Sequence, residues 1–131
     1  MTDEVDDAVG QWLAKANVDW TCVSILSAHP DGPRQAVCFH CQQYVEKLLK
    51  ALLTRHQIEA PRTHDLRRLI QLVAPVASEL GAFADRADLL SHAGVEIRYP
   101  DEWRVVSPDE MSVMIQLAKD FAAALLPLLK N

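Results

Sequence analysis

The sequence predicts an all-α fold, an up-and-down antiparallel helical bundle of about five helices. Three observations predict it. Apolar residues recur at helical spacing between sharp breaks. Strand patterns are nearly absent. Ser107-Pro108-Asp109-Glu110 combines a serine cap, a proline at the first helical position and a glutamate three residues after the cap. The first helix covers about 4–28 and ends at His29-Pro30-Asp31-Gly32-Pro33, because two prolines and a glycine do not continue a helix. The second covers about 34–57, with Val37, Cys41, Val45, Leu48 and Leu52 as its apolar stripe, and stops at Glu59-Ala60-Pro61-Arg62-Thr63. Thr63 is placed to cap a third helix over about 64–73, with Asp65 near its positive end. Leu66, Leu69, Ile70, Val73, Val76, Ala77 and Leu80 share one stripe there, which Pro75 ends or kinks. A fourth helix covers about 82–96; Pro100 keeps Tyr99 out of the helical region and so closes it. The fifth covers about 108–129. Trp103-Arg104-Val105-Val106 is the one strand candidate and is too short to found a sheet.

The chain has 131 residues, 50% of them hydrophobic, which suits a single domain over 1–131 with one core. No repeat or low-complexity linker divides it. No apolar run reaches membrane-spanning length, so the expectation is a protein without a transmembrane segment. The acidic start, Met1-Thr2-Asp3-Glu4-Val5-Asp6-Asp7, is unlike a secretory leader. Three cysteines, an odd number, point to free thiols and a cytoplasmic location. A net charge of −5 argues against a general nucleic-acid coat. The charge is uneven, however: residues 1–20 are acidic, while 46–68 hold Lys47, Lys50, Arg55, Arg62, Arg67 and Arg68. A basic middle admits a specific anion, an acidic partner, or a plain solvated face.

The second helix carries the most chemistry. At about 100° per residue, His40, Gln43, Lys47, Lys50 and Thr54 lie on one stripe, roughly opposite the apolar one. Imidazole, amide and ammonium in one row suit a phosphate or a partner carboxylate; a solvated outer face explains them equally well. Cys38-x-x-Cys41 invites a metal or redox reading. A zinc site needs four ligands and there is no second cysteine pair, so small buried helix residues are the better explanation. Arg98, near a helix end, either binds the last carbonyls or holds an anion beside the Tyr99 phenol.

In order along the chain, these segments resemble the HEPN domain family. The resemblance rests on Trp12-Leu13-x-Lys15-Ala16 and on Cys38-Phe39-His40-Cys41-Gln42-Gln43-x-x-Glu46-Lys47-x-x-Lys50-Ala51-Leu52. It continues with Pro61-Arg62-Thr63-His64-Asp65-Leu66, Arg98-Tyr99-Pro100-Asp101 and the final helix. The resemblance implies a helical bundle, commonly a homodimer. Many members are encoded beside a minimal nucleotidyltransferase and act as its partner, often in toxin–antitoxin pairs; some are metal-independent ribonucleases. The ribonuclease motif is an Arg followed, after four to six residues, by a His. Arg98 aligns with that Arg, but positions 103–105 are Trp, Arg and Val, so the His is missing. With it goes the tyrosine that some members place two residues beyond. Arg86 and His92 match the spacing, yet positions six apart on a helix diverge by about 120°.

The expected function is therefore a recognition module without catalytic residues, metal or cofactor. It would bind a nucleotide such as ATP, a nucleotidyltransferase partner, or both. Its candidate contacts are His40, Gln43, Lys47, Arg62, His64, Asp65, Arg98 and Tyr99, the basic groups on phosphate and Tyr99 stacked on a base. The alternative is a ribonuclease toxin acting on RNA through Arg98 or Arg86 with His92 or His64. A third reading makes the polar stripes mere surface. Trp12, Trp20, Phe39 and Leu53 exceed what a lone bundle is expected to bury, so a homodimer is anticipated.

Overall fold

Two long helices make the frame, α1 (Asp3–Ala28) and α2 (Arg34–Arg55), folded back on each other. The computed structural model describes residues 3–93 and 105–130. The reversal needs a glycine. A Cβ on Gly32 would lie 1.9 Å from the Leu26 carbonyl oxygen, and the Gly32 N–H donates to the His29 carbonyl at 3.0 Å. α2 then runs through the centre of the molecule. Its predicted stripe, Val37, Cys41, Val45, Leu48 and Leu52, is buried, and so are Leu49, Ala51 and Leu53 around it. A helix apolar on most sides belongs in the interior, and α2 is packed by α1, α3, α4 and α5.

The remaining elements close over α2. α3 (Leu66–Val73) buries Leu66, Leu69, Ile70 and Val73. Its cap is Asp65, whose side chain accepts from the Arg67 and Arg68 N–H groups. Thr63 sits two residues earlier and accepts from the Asp65 N–H. The expected Thr63 cap thus moves to Asp65, because a carboxylate next to the first turn satisfies two free donors at once. After Pro75 the chain tightens into a 3₁₀ turn (Ser78–Phe83), which leads into α4 (Ala84–Ala93). Val76 leaves the common stripe and is exposed, whereas Ala77 and Leu80 stay buried. Arg67 ties α3 to α4 by forking onto Asp85 and Asp88 at 2.8 Å. Its hydrogen bond to Asp88 holds that carboxyl below the usual range.

α5 (Pro108–Leu125) starts as the cap predicts: Ser107 Oγ accepts from the Glu110 N–H at 3.1 Å. It ends earlier than 129, because Pro127 cannot donate into the helix and the last residues form a 3₁₀ turn (Leu126–Leu129). Pro108–Leu129 is long and apolar enough to cross a membrane by length and composition, which corrects the sequence expectation. In this fold Leu117, Ala118, Phe121, Ala122 and Leu125 of that stretch pack in the core. Arg55 ties the ends together, bonding Asp6 of α1 and the Leu129 carbonyl. No strand occurs among the described residues; Val105 and Val106 are irregular, and Trp103 and Arg104 lie outside them.

The surface apolar residues are not the ones expected. Leu53 is fully buried, and Trp12 and Trp20 pack against the core, the latter 4.8 Å from the Tyr44 ring. Phe39 is half-buried. The described large hydrophobics that face solvent are Val18, Ile25, Val76, Leu89, Val105, Val113 and Leu126. Trp12, Trp20 and Leu53 are absorbed because the central helix offers far more apolar surface than an outer one.

Candidate functional site

The polar stripe of α2 does not face open water. It is built into two adjoining networks, each centred on a buried carboxylate. The first centre is Asp19 of α1, 4% exposed on a helix face otherwise made of Val9, Ala16 and Val23. A lone buried carboxylate is costly, so it demands a cation. His40 Nδ1 meets Asp19 Oδ1 at 2.8 Å, and Lys47 Nζ donates to Oδ2. Holding Nδ1 as the donor leaves His40 Nε2 as the acceptor when the ring is neutral.

The second centre is Glu46, 3% exposed. Lys50 Nζ reaches its Oε2 at 3.1 Å, and His64 Nδ1 lies 2.8 Å from its Oε1. Gln42, fully buried, links the parts. Its Nε2 donates to Glu46 Oε1 at 2.9 Å and to the His64 carbonyl at 3.1 Å, while its Oε1 accepts from Gln43 Nε2 at 2.7 Å. The amide thus spends both hydrogens and one acceptor inside the fold. No buried side-chain polar atom among the described residues lacks a partner. Lys50 also lies 5.7 Å from the centre of the Trp12 ring, so its ammonium rests between a carboxylate and an aromatic face.

These contacts define a groove. α1 flanks α2 on the side of Asp19, and the segment before α3 flanks it on the side of His64. Between them Phe39 and Gln43 remain half-buried, with His40 and Lys47 beside them at 25% and 21% side-chain exposure. Lysine and carboxylate charges cancel within each network. With neutral imidazoles the groove is neutral, and each protonated imidazole adds one positive charge. Chemically it offers an orientated imidazole, an amide and an ammonium whose positions are set from behind.

Of the predicted residues, His40, Gln43, Lys47 and His64 are brought to this groove. Arg62 is exposed on the segment that carries His64. Asp65 is withdrawn to cap α3, so its carboxylate serves helix formation. Arg98 and Tyr99 lie outside the described residues. Of the alternative pair, the Arg86 guanidinium stacks on Phe83 at 4.1 Å, and His92 is exposed about one and two-thirds turns further on. Lys50, read as part of the outer stripe, is buried. The residues that sequence reasoning missed are the acidic centres, Asp19 and Glu46, and the linker Gln42. An aspartate set into the stripe of Val9, Ala16 and Val23 was the available signal.

The cysteines play no part. Cys38 and Cys41 are buried, and burial together with the neighbouring Cys38 pushes the Cys41 thiol up to about 12. A thiol held protonated is a poor nucleophile and metal ligand. Two surface hollows, of about 320 and 380 Å³, lie elsewhere. One is between the α1–α2 turn and Val105–Val106, the other between the start of α1 and Gln57–Ala60. Neither is lined by His40, Gln43, Lys47 or His64.

Comparison with known proteins agrees with the all-helical architecture: the model of the HEPN domain matches residues 9–127. No curated protein and no solved structure gives a match.

Proposed function

Because the chain belongs to the HEPN domain family, we propose that it is a recognition module whose groove along α2 holds the phosphate end of a nucleotide. The nucleotide would be ATP or a relative, and the partner that shares it a minimal nucleotidyltransferase of the kind encoded beside many family members. One observation carries the reading. His40, Gln43, Lys47 and His64 stand together at the groove, and each is held by a buried group behind it. Fixing such side chains is costly, and binding sites repeatedly do so to avoid losing side-chain freedom when the ligand arrives. Lys47, and the imidazoles in their protonated form, would give phosphate charge-assisted hydrogen bonds.

Calorimetric titration with ATP, with and without the neighbouring nucleotidyltransferase, tests this. A saturable heat is expected, weakened about 10-fold or more by Lys47→Met and by His64→Ala, since one charge-assisted bond contributes roughly 1.5–3 kcal/mol. Absence of heat in both settings refutes it. The ribonuclease alternative draws less support, because Arg86 is engaged with Phe83. RNA cleavage by the wild type that Arg86→Ala and His92→Ala both abolish would replace the proposal.

A further inference from the structure

His64 is a surface side chain held from inside the fold. Its side chain is 74% exposed, yet its Nδ1 lies 2.8 Å from Oε1 of Glu46, a carboxylate only 5% exposed. Its carbonyl accepts from Nε2 of the buried Gln42 at 3.1 Å, so ring and backbone are both tied to α2. Glu46 does not need this contact, because Gln42 and Lys50 already bond its two oxygens. The consequence falls on the imidazole. An ionised carboxylate can only accept, so the neutral ring keeps its proton on Nδ1 and turns the Nε2 lone pair toward solvent. His29 has the opposite arrangement: its Nδ1 accepts from the Asp31 N–H at 3.0 Å, which leaves the proton on Nε2. His40 shares the carboxylate contact, but its side chain is 25% exposed and lies against the Phe39 ring, with centres 5.3 Å apart.

From this we infer that His64 Nε2 is a nucleophile, a site that accepts a phosphoryl group from small activated donors, a phosphoramidate or an acyl phosphate. The Nε2 lone pair forms a bond to phosphorus. The donor's phosphorus–nitrogen or phosphorus–oxygen bond breaks, and its electron pair leaves with ammonia or with the carboxylate. The Nδ1 proton stays on the ring, so the imidazole becomes cationic as the new bond forms. Glu46, at 2.8 Å from Nδ1, stabilises that developing charge through the ring and is the positioning residue. The surroundings tolerate an anionic donor. Lys50 balances Glu46, Asp65 is turned to the Arg67 and Arg68 N–H groups, and Arg62 stands exposed two residues before His64. This is a second use of His64, and it does not require that a nucleotide binds.

Incubation with phosphoramidate and, separately, with acetyl phosphate, in the absence of nucleotide, tests the inference. Intact mass and peptide mapping at alkaline pH, where a phosphoryl-imidazole survives, locate the phosphate. With at least one donor His64 should be modified about 10-fold or more faster than His29, and His64→Ala should lose that fast phase. Nitrogen NMR of the imidazoles reads the cause directly: neutral His64 should carry its proton on Nδ1, and neutral His29 on Nε2. Glu46→Gln combined with Lys50→Met keeps an acceptor for Nδ1, removes the negative charge and leaves no unpaired ammonium. It should slow modification of His64 about 10-fold. Equal rates at His64 and His29 with both donors, a His64 proton on Nε2, or a folded double variant that reacts as fast as the wild type each overturns the inference. If the double variant does not fold, the rates and spectra of the wild type decide it. These readouts contain no nucleotide, so they stand or fall separately from the titration with ATP.

Discussion

Replacing Glu46 by Leu should unfold this protein more readily than any surface change, and replacing Lys50 by Met in the same molecule should restore much of the loss. Both side chains are nearly dry, at 5% and 8% exposure, and they meet at 3.1 Å. In the single variant the Lys50 ammonium keeps only the Trp12 ring, 5.7 Å away, as a favourable neighbour among the contacts described. An unpaired buried charge costs roughly 3–5 kcal/mol. One Gln42 N–H also loses its acceptor, which adds about 1 kcal/mol. The expected loss for Glu46→Leu is therefore about 4–6 kcal/mol, much of the stability of a domain this size. Lys50→Met alone should cost less, about 1–3 kcal/mol, because Glu46 keeps Gln42 and His64. The double variant exchanges an ion pair for apolar contacts, which is often neutral, so it should lose no more than about 2 kcal/mol. The coupling between the two sites should reach at least about 3 kcal/mol. Urea unfolding measures it, followed by tryptophan emission and far-ultraviolet circular dichroism together, since coincident curves license two-state treatment. Two outcomes would refute the reasoning. One is a Glu46→Leu loss below about 1 kcal/mol; the other is single losses that sum to the double within about 0.5 kcal/mol.

Four further predictions concern the backbone and the thiols. Gly32→Ala should lower the urea midpoint by an equivalent of about 1–3 kcal/mol, because its methyl carbon would stand 1.9 Å from the Leu26 carbonyl oxygen. Gln57→Gly should raise stability by about 0.5–1 kcal/mol in the same assay, since Gln57 holds φ at 57° just past α2, where a glycine carries no Cβ strain. Native protein should expose only Cys22 to a thiol reagent, with Cys38 and Cys41 reacting after denaturant is added. The raised Cys41 pKa also gives a sign. The folded state retains a proton that the unfolded state releases, so its contribution is complete below 9.0 and is lost as pH rises toward about 12. A thermal melt that does not fall between those values contradicts the burial of that thiol.

Much of the helical framework was legible from local chemistry. Ser107 caps α5 through the Glu110 N–H because the two are three residues apart, and no distant element is needed to bring them together. Val37, Cys41, Val45, Leu48 and Leu52 mark the inner face of α2 by spacing alone. The third helix begins later than expected because two potential caps, Thr63 and Asp65, stand two residues apart. The choice between them depends on which can reach two N–H groups. Half of the groove was legible too, as His40, Gln43, Lys47 and His64. Its acidic half was not. Asp19 lies 21 residues before His40 and Glu46 lies 18 before His64, separations that no helical period links.

The sequence alone determined that this is a bundle of helices, where most of them start and stop, and which stripe of each is apolar. Those features rest on hydrogen bonds and contacts among residues within about one helical turn of each other. The tertiary structure alone decided that the polar stripe of α2 lies inside, on two buried carboxylates. A polar helix face is ordinarily left to water. It turns inward only when another element supplies countercharges at bonding distance, and that depends on how α1 and the His64 segment dock.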